Sequence, residues 1–346
     1  MIEITRGNVI EADAEALVNT VNCVGYMGKG IALQFKKAFP DNFKAYERAC
    51  HAGKVRLGEM FVFQTGSMIN PKHIINFPTK RDWRAKSRIE DIESGLRALV
   101  TEINRFGIES IAVPPLGCGL GGLDWREVRP MIERAFANLP GVRVTLFEPV
   151  GAPDAKAMPV RTKRPGMTIA RALFINLMHR YGQQAYRLTL LEIQKLAYFL
   201  QESGERLRLK YEAVLYGPYA HNLNKVLETL EGHIIRGYGD SQKPDVDIEL
   251  LPGAVEEAER FLAGNKASAG HLRRVANVID GFETPYGLEL LSSVHWVAVH
   301  GTPPARSPDE VVQAVHRWNE RKRMMFKPDH IRIAWARLNE QGWLNS

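Results

Sequence analysis

Two glycine-rich stretches carry the residue types best suited to chemistry. Residues 19–32 read Asn-Thr-Val-Asn-Cys-Val-Gly-Tyr-Met-Gly-Lys-Gly-Ile-Ala. Ala16-Leu17-Val18 before them reads as the end of a buried strand. The run 30–39 after them reads as a helix stopped by Pro40. A strand that feeds a helix through such a loop brings free backbone N–H groups to one point, where phosphates bind well. Asn19 and Asn22 can donate and accept at fixed positions, which suits ribose hydroxyls. The plainer reading is a strand-to-helix turn with glycine for positive φ. A Walker A loop is ruled out, because Lys29 is followed by Gly30 and not by Ser or Thr.

The second stretch, Gly117-Cys118-Gly119-Leu120-Gly121-Gly122, formally matches GxGxxG between a strand and a helix. A nicotinamide-dinucleotide fold is therefore an alternative. Against it, Pro114-Pro115-Leu116 separate the strand from the glycines, and the first strand–helix unit carries the asparagine loop instead. The reading adopted is a second phosphate clamp facing the first.

The elements that must position these loops follow from periodicity. Strands are predicted at 1–5, 17–20, 60–65, 73–77 (ended by Pro78), 110–113 and 142–147. Helices are predicted at 30–39, 87–105 and 125–137. The alternation implies an α/β unit over 1–150, a mostly parallel sheet between helices. Ligands of such sheets bind at the carboxyl ends of strands, so the loops 19–32, 78–83 and 114–122 should converge. Residues 151–167, with three prolines and a basic cluster, read as a linker. From 168 to 346 the pattern is mainly helical: 169–181, 188–201, 223–230, 254–262, 271–279, 287–300, 307–323 and 327–341. Tyr216-Gly217-Pro218-Tyr219 reads as a turn.

The chain has 346 residues and a net charge of +7. The charge divides as +3 over 1–150, +3 over 151–167 and +1 over 168–346, so no segment has the strongly basic footprint of a duplex-DNA binder. Three cysteines without close spacing argue for a reducing cytoplasm and against a zinc site. His295 and His300, five apart, read as core or surface residues, and no metal or cofactor is expected. No apolar run is long enough to span a membrane, and no signal peptide is read.

Residues 1–150 resemble a macrodomain, the fold that binds ADP-ribose. Asn22 before Gly28-Lys29-Gly30-Ile31-Ala32, and Gly117-Cys118-Gly119-Leu120-Gly121, carry the likeness. Met27-Gly28-Lys29-Gly30-Ile31-Ala32 with Phe35-Lys36-Lys37 is similar to the branch holding the terminal ADP-ribose protein glycohydrolase and the DarG antitoxins. In that branch a lysine after a central strand is catalytic, and Asn76-Phe77-Pro78-Thr79-Lys80-Arg81 places Lys80 there. Leu191-Glu192-Ile193-Gln194-Lys195-Leu196-Ala197-Tyr198-Phe199 and Tyr216-Gly217-Pro218 resemble the C-terminal half of the DarG antitoxins. The family's aspartate after Gly-Cys-Gly-Leu is replaced here by Gly121, with Asp124 three residues on.

The resemblance implies a DNA ADP-ribosyl glycohydrolase fused to a domain that binds a DarT-like toxin, a transferase that ADP-ribosylates single-stranded DNA. The ADP-ribose contacts it implies are Asn8, Val9 and Ile10 at the adenine end, Asn22 at the distal ribose, and backbone groups of Gly28, Gly30, Ile31, Gly119 and Leu120 at the diphosphate. Asn19, Met27, Ala32, Thr79, Gly117, Cys118 and Gly121 complete the expected lining. Lys80 would act as a nucleophile with a lowered pKa, Arg81 being the neighbouring cation, or as an ammonium acid. A non-catalytic ADP-ribose reader is a further alternative. In the second domain, Asp245, Asp247, Glu249, Glu256, Glu257 and Glu259 form the densest acidic stretch and a candidate toxin surface, the plainer reading being solvated carboxylates.

Overall fold

The computed structural model describes residues 1–149, 158–183, 187–239 and 247–344. The chain forms two compact units, one built on Met1–Lys163 and one on Arg164–Tyr238 with Lys243–Ser346. Residues 151–157 of the expected linker lie outside the described residues. Met158 packs on the core of the first unit, and the N–H of Arg161 donates to the Lys37 carbonyl.

The first unit is organised on β2 (Ala16–Asn22), which is buried on both faces nearly throughout, as a central parallel strand must be. Around it stand β1 (Ile2–Thr5), β3 (Phe61–Gln64), β4 (His73–Lys80), β5 (Ser110–Val113) and β6 (Arg143–Phe147), in the order β1-β6-β5-β2-β4-β3. All pairs are parallel except β3 on β4, which is antiparallel. The helices are α1 (Gly30–Ala38), α2 (Pro40–His51), α3 (Ile89–Phe106) and α4 (Trp125–Phe136). Ile92, Leu96, Leu99 and Ile103 of α3 and Val128 and Ile132 of α4 bury against Val18, Ile75, Phe77 and Ile111 of the sheet. Leu17, Ile74 and Ala112 point to the other face, against Phe35 and Ala38 of α1. Gly95 lets α3 lie close on the sheet: a Cβ there would stand 2.2 Å from the Phe77 ring.

Two prolines behave differently from expectation. Pro40 ends α1 only by opening α2, as its first residue, where a missing N–H costs nothing. Pro78 does not end β4. The strand runs on to Lys80, and a register shift pairs Val21 with Pro78 but Asn22 with Lys80. Thr79 is the extra residue of this bulge, and bulges re-aim the side chain that follows.

The second unit is mainly helical: α5 (Ile169–Gly182), α6 (Leu190–Glu202), α7 (Leu223–Leu230), α8 (Ala254–Leu262), α9 (Lys266–Ile279), α10 (Pro285–Val299), α11 (Pro308–Trp318), α12 (Glu320–Met325) and α13 (Pro328–Glu340). Asn319 splits the expected helix 307–323 by capping α12, its Oδ1 accepting from the Lys322 N–H. The stretch 216–219 is mostly strand: β7 (Tyr211–Val214) and β8 (Gly217–Ala220) form an antiparallel hairpin. A second short pair joins β9 (Ile235–Arg236) to β10 (Glu249–Leu250). No helix of the described residues is long and apolar enough to cross a membrane.

Candidate active site

Asn22 and Lys80 are the last residues of adjacent strands and are paired in register. Asn22 is buried, and its side chain organises the loop behind it. Oδ1 accepts from the N–H of Val24 (2.9 Å) and Tyr26 (3.3 Å), while Nδ2 donates to the Tyr26 carbonyl at 2.6 Å. The Tyr46 hydroxyl of α2 reaches both the backbone carbonyl (2.7 Å) and Oδ1 (3.2 Å) of Asn22. One amide hydrogen is thus spent within the loop. The turn role is what the geometry displays, and a ribose contact would use the other.

Below this point lies a buried asparagine network. Asn19 Nδ2 donates to Asn76 Oδ1 (2.9 Å), and Asn76 Nδ2 donates to Asn42 Oδ1 (2.7 Å) and to the Phe61 carbonyl (3.1 Å). All three asparagines are fully buried. Asn19, expected at the ligand, therefore supports the strand ends from within. Thr79 is also buried and turned onto the Val21 carbonyl (3.4 Å), and Met27 is part of the core beneath the loop.

The two glycine loops meet. Gly30 has φ +58, and a Cβ on it would stand 3.2 Å from Leu120 Cδ1. Gly28 precedes it as a buried loop residue, and Ile31 and Ala32 pack against the core from the first turn of α1, where N–H groups have no intrahelical acceptor. The Gly30 N–H is taken by the carbonyl of Gly239, at 2.7 Å, a residue that groups with this unit. In the second loop, Gly117 has φ +71 and Cys118 is a half-buried thiol that burial pushes up to about 12. Gly119 is exposed, with open space where a Cβ would stand. Among the described residues none accepts from the N–H groups of Gly119, Leu120 and Gly121. Asn8 caps a short 3-10 turn, accepting from the Ile10 N–H (3.1 Å), with Val9 and Ile10 buried behind it.

Lys80 stands between these loops. Its Nζ donates to the Trp83 carbonyl (3.1 Å) and to the Leu120 carbonyl (3.4 Å). Its pKa lies below the ordinary lysine value because of burial first and the like charge of Lys86 second, with Asp82 opposing. The neighbouring cation is thus Lys86 and not Arg81, whose side chain is exposed. Sequence adjacency pointed to the wrong residue, because the loop after Lys80 turns back on itself.

Position 121 has no room for a carboxylate. A Cβ there would stand 2.3 Å from both the Gly117 carbonyl oxygen and Ser87 Oγ. The Ser87 hydroxyl, buried and without a hydrogen-bond partner among the described residues, occupies that space. Asp124 does not replace the missing group. It caps α4, and Arg126 (2.7 Å) holds its carboxyl below the usual range.

In the second unit the acidic stretch is matched in part, with Glu256 and Glu259 exposed. Asp247 pairs with Arg187 (2.7 Å), Glu249 with Arg236 (3.0 Å) and Glu257 with Arg164 (2.6 Å), while Asp245 lies outside the described residues. Glu202, His295 and His300 bring ligand atoms within 4.8 Å of one another. However, His295 Nδ1 already meets the Tyr198 hydroxyl (2.7 Å), and His300 Nε2 meets Glu202 Oε2 (3.1 Å), so the group reads as a hydrogen-bond network.

Comparisons with known proteins identify relatives of the chain. Residues 18–132 match the Macro domain family, which identifies the first unit as a macrodomain. The chain is 47% identical to a DNA ADP-ribosyl glycohydrolase of Thermus aquaticus over 99% of its own length and 94% of the relative's. It is 34% identical to a DNA ADP-ribosyl transferase–DNA ADP-ribosyl glycohydrolase fusion protein of Thermosipho africanus, over 46% of this chain and 45% of that one. The solved macrodomain of Mycobacterium tuberculosis DarG is 54% identical and covers 43% of this chain and 98% of its own, with a TM-score of 0.43.

Proposed function

The chain belongs to the DNA ADP-ribosyl glycohydrolase family, and from that premise we propose that it hydrolyses the N-glycosidic bond between ADP-ribose and a base of single-stranded DNA, with Lys80 as nucleophile. The observation that carries this reading is the position of the Lys80 amine, half-buried between two glycine loops and held by two backbone carbonyls. A neutral amine has two N–H groups and a lone pair. The two carbonyls take the N–H groups and leave the lone pair for C1″ of the distal ribose. Attack forms the Nζ–C1″ bond and breaks the bond from C1″ to the base nitrogen. The base keeps the electron pair and takes the proton that Nζ sheds. Water then attacks C1″, frees the amine and releases ADP-ribose.

The diphosphate is assigned to the N–H groups of Gly119, Leu120, Ile31 and Ala32, with Gly30 joining once its bond to Gly239 is exchanged. Asn22 takes the distal ribose and Asn8 to Ile10 the adenine end. Incubation of the protein with ADP-ribosylated single-stranded oligonucleotide is expected to release free ADP-ribose and restore the base. Binding of ADP-ribose without release would instead make it a reader. A requirement for the nicotinamide moiety would return the dinucleotide alternative.

The second unit is assigned to a toxin of the DarT type. A relative that matches 46% of this chain joins a DNA ADP-ribosyl transferase and a glycohydrolase in one protein, which links the two activities without bearing on which unit binds the toxin. The arginine partners of Asp247, Glu249 and Glu257 weigh against those three as an acidic docking surface and leave the exposed Glu256 and Glu259 open to that role. Co-purification of the full chain, and of residues 164–346 alone, with a cognate DarT-like transferase tests the assignment. Failure of both to bind would remove it.

A further inference from the structure

The loop that follows Lys80 reads Arg81-Asp82-Trp83-Arg84-Ala85-Lys86-Ser87-Arg88. It holds four cations and one carboxylate around an aromatic ring, and it is built rather than loose. At one end the Cys23 N–H donates to the Arg81 carbonyl (3.1 Å), tying it to the first glycine loop. At the other the Ser87 N–H donates to the Gly121 carbonyl (3.0 Å), tying it to the second. Within it, the Arg84 N–H donates to Asp82 Oδ1 (2.9 Å). The Trp83 ring lies 5.4 Å from the Tyr26 ring of the first loop, and the Arg84 guanidinium lies 4.4 Å from the centre of the Trp83 ring. Lys86 reaches over the second loop, its Nζ 3.1 Å from where a Cβ on Gly122 would be. Arg81, Arg84 and Lys86 are exposed.

Local stability does not account for these cations. They precede α3, whose N-cap, Arg88, makes no side-chain cap bond. A helix N-terminus favours anions and disfavours cations, and Lys86 also adds like charge near Lys80. A cationic surface interleaved with aromatic rings is what a single strand needs, phosphates on the cations and bases on the rings.

We propose that residues 81–86 bind the DNA strand of the substrate, with Arg81, Arg84 and Lys86 on phosphates flanking the modified nucleotide and the Tyr26–Trp83 pair stacking a neighbouring base. The proposal rests on the glycohydrolase reading. The base attached to C1″ must leave the cleft beside Lys80, and the Trp83 carbonyl that holds the Lys80 amine belongs to this loop. ADP-ribose itself is left to the glycine loops, so the loop sets preference for a strand over an isolated nucleotide.

The test uses the full chain and two substrates, an ADP-ribosylated oligonucleotide of about 12 nucleotides, within the usual single-strand site size, and the ADP-ribosylated mononucleotide. The double variant Arg81→Glu/Arg84→Glu is expected to lose about tenfold or more in kcat/KM on the oligonucleotide, through KM, with the mononucleotide unaffected. The salt dependence on the oligonucleotide should become shallower by about 1.4 in the log–log slope, at roughly 0.7 for each of two phosphates. Equal activity of variant and wild type on the oligonucleotide at every salt concentration, or equal loss on both substrates, would overturn the proposal. Fluorescence anisotropy with unmodified single-stranded DNA separates this failure from that of the reading beneath it. If the wild type hydrolyses neither substrate yet binds the strand, and the variant does not bind it, the glycohydrolase reading falls and the strand site stands. If the wild type does not bind the strand, the strand site falls.

Discussion

Lys80 in the first unit and Lys195 in the second both hold amines whose pKa burial depresses, yet their surroundings differ. Lys195 is fully buried on α6, and its Nζ donates to the Pro218 carbonyl of β8 at 2.7 Å. Beside it, Lys322 donates to Glu289 (2.8 Å) and Ser293 (2.9 Å), and Arg321 grips the same Glu289 carboxylate through two bonds. Every partner there is a fixed protein group, and together they fasten the hairpin and α12 to α6 and α10. Lys80 is half-buried at a strand end, with one good carbonyl contact and one long one, beside a second glycine loop whose Gly119, Leu120 and Gly121 N–H groups are open among the described residues. A lowered pKa therefore marks burial in both places. What separates the two is that Lys80 is only half-buried and held by two backbone carbonyls alone, the setting that the proposed reaction requires of it.

Three substitutions and one titration would sharpen or break that contrast. The largest effect is expected for Lys80→Ala, a loss of roughly 100- to 10,000-fold in turnover, the range of a positioned acid–base group, with ADP-ribose affinity by calorimetry changed only a few-fold. Next comes Glu289→Ala, which leaves the buried Lys322 and the partly exposed Arg321 without their carboxylate and should cost about 3–5 kcal/mol of stability in the second unit. Chemical denaturation would show it, while hydrolysis by the folded protein should persist. Asn22→Ala should weaken ADP-ribose binding by about 1–3 kcal/mol, since loop groups now paired with Asn22 would be left buried and unpaired. Unchanged affinity would assign Asn22 to the Tyr46 and Tyr26 contacts alone.

A further test is a titration of stability. The folded Lys195 pKa is lowered to about 7 from 10.5, so above pH 7 the unfolded chain binds more protons than the folded one, and stability rises with pH. The rise should end near pH 10, where Tyr198, whose folded pKa lies well above 10.0, begins to oppose it. Lys195→Met should flatten the rise measured by denaturation between those limits.

The sequence made the sheet, its alternating helices and the convergence of the three loops legible, because continuous apolar runs and helical spacing report burial directly. It was less informative where a local signal has two uses. Pro40 stops one helix and starts the next. Pro78 sits inside a strand because the bulge at Thr79 absorbs its missing N–H. Asn19 looked available to a ligand, but Asn76, opposite it in register, and Asn42, on α2, draw it inward. The place of Ser87 against Gly121 and of Lys86 near Lys80 depends on the path of the 81–88 loop, which no spacing encodes. Trp83 and Tyr26 went unremarked for the same reason, although a tryptophan among four cations was a visible signal.

The pH profile of kcat/KM on ADP-ribosylated oligonucleotide, for the wild type and for Lys86→Gln, tests the role of the Lys80 amine most directly. Lys80 titrates below 10.5 and must lose its proton to attack, so activity should rise with pH through a limb below that value. Removing the Lys86 charge stabilises the Lys80 ammonium, so the limb should move to higher pH in the variant. Activity that falls with rising pH through the same range, or a limb that stays in place when Lys86 is neutralised, would contradict a free amine acting between the two glycine loops.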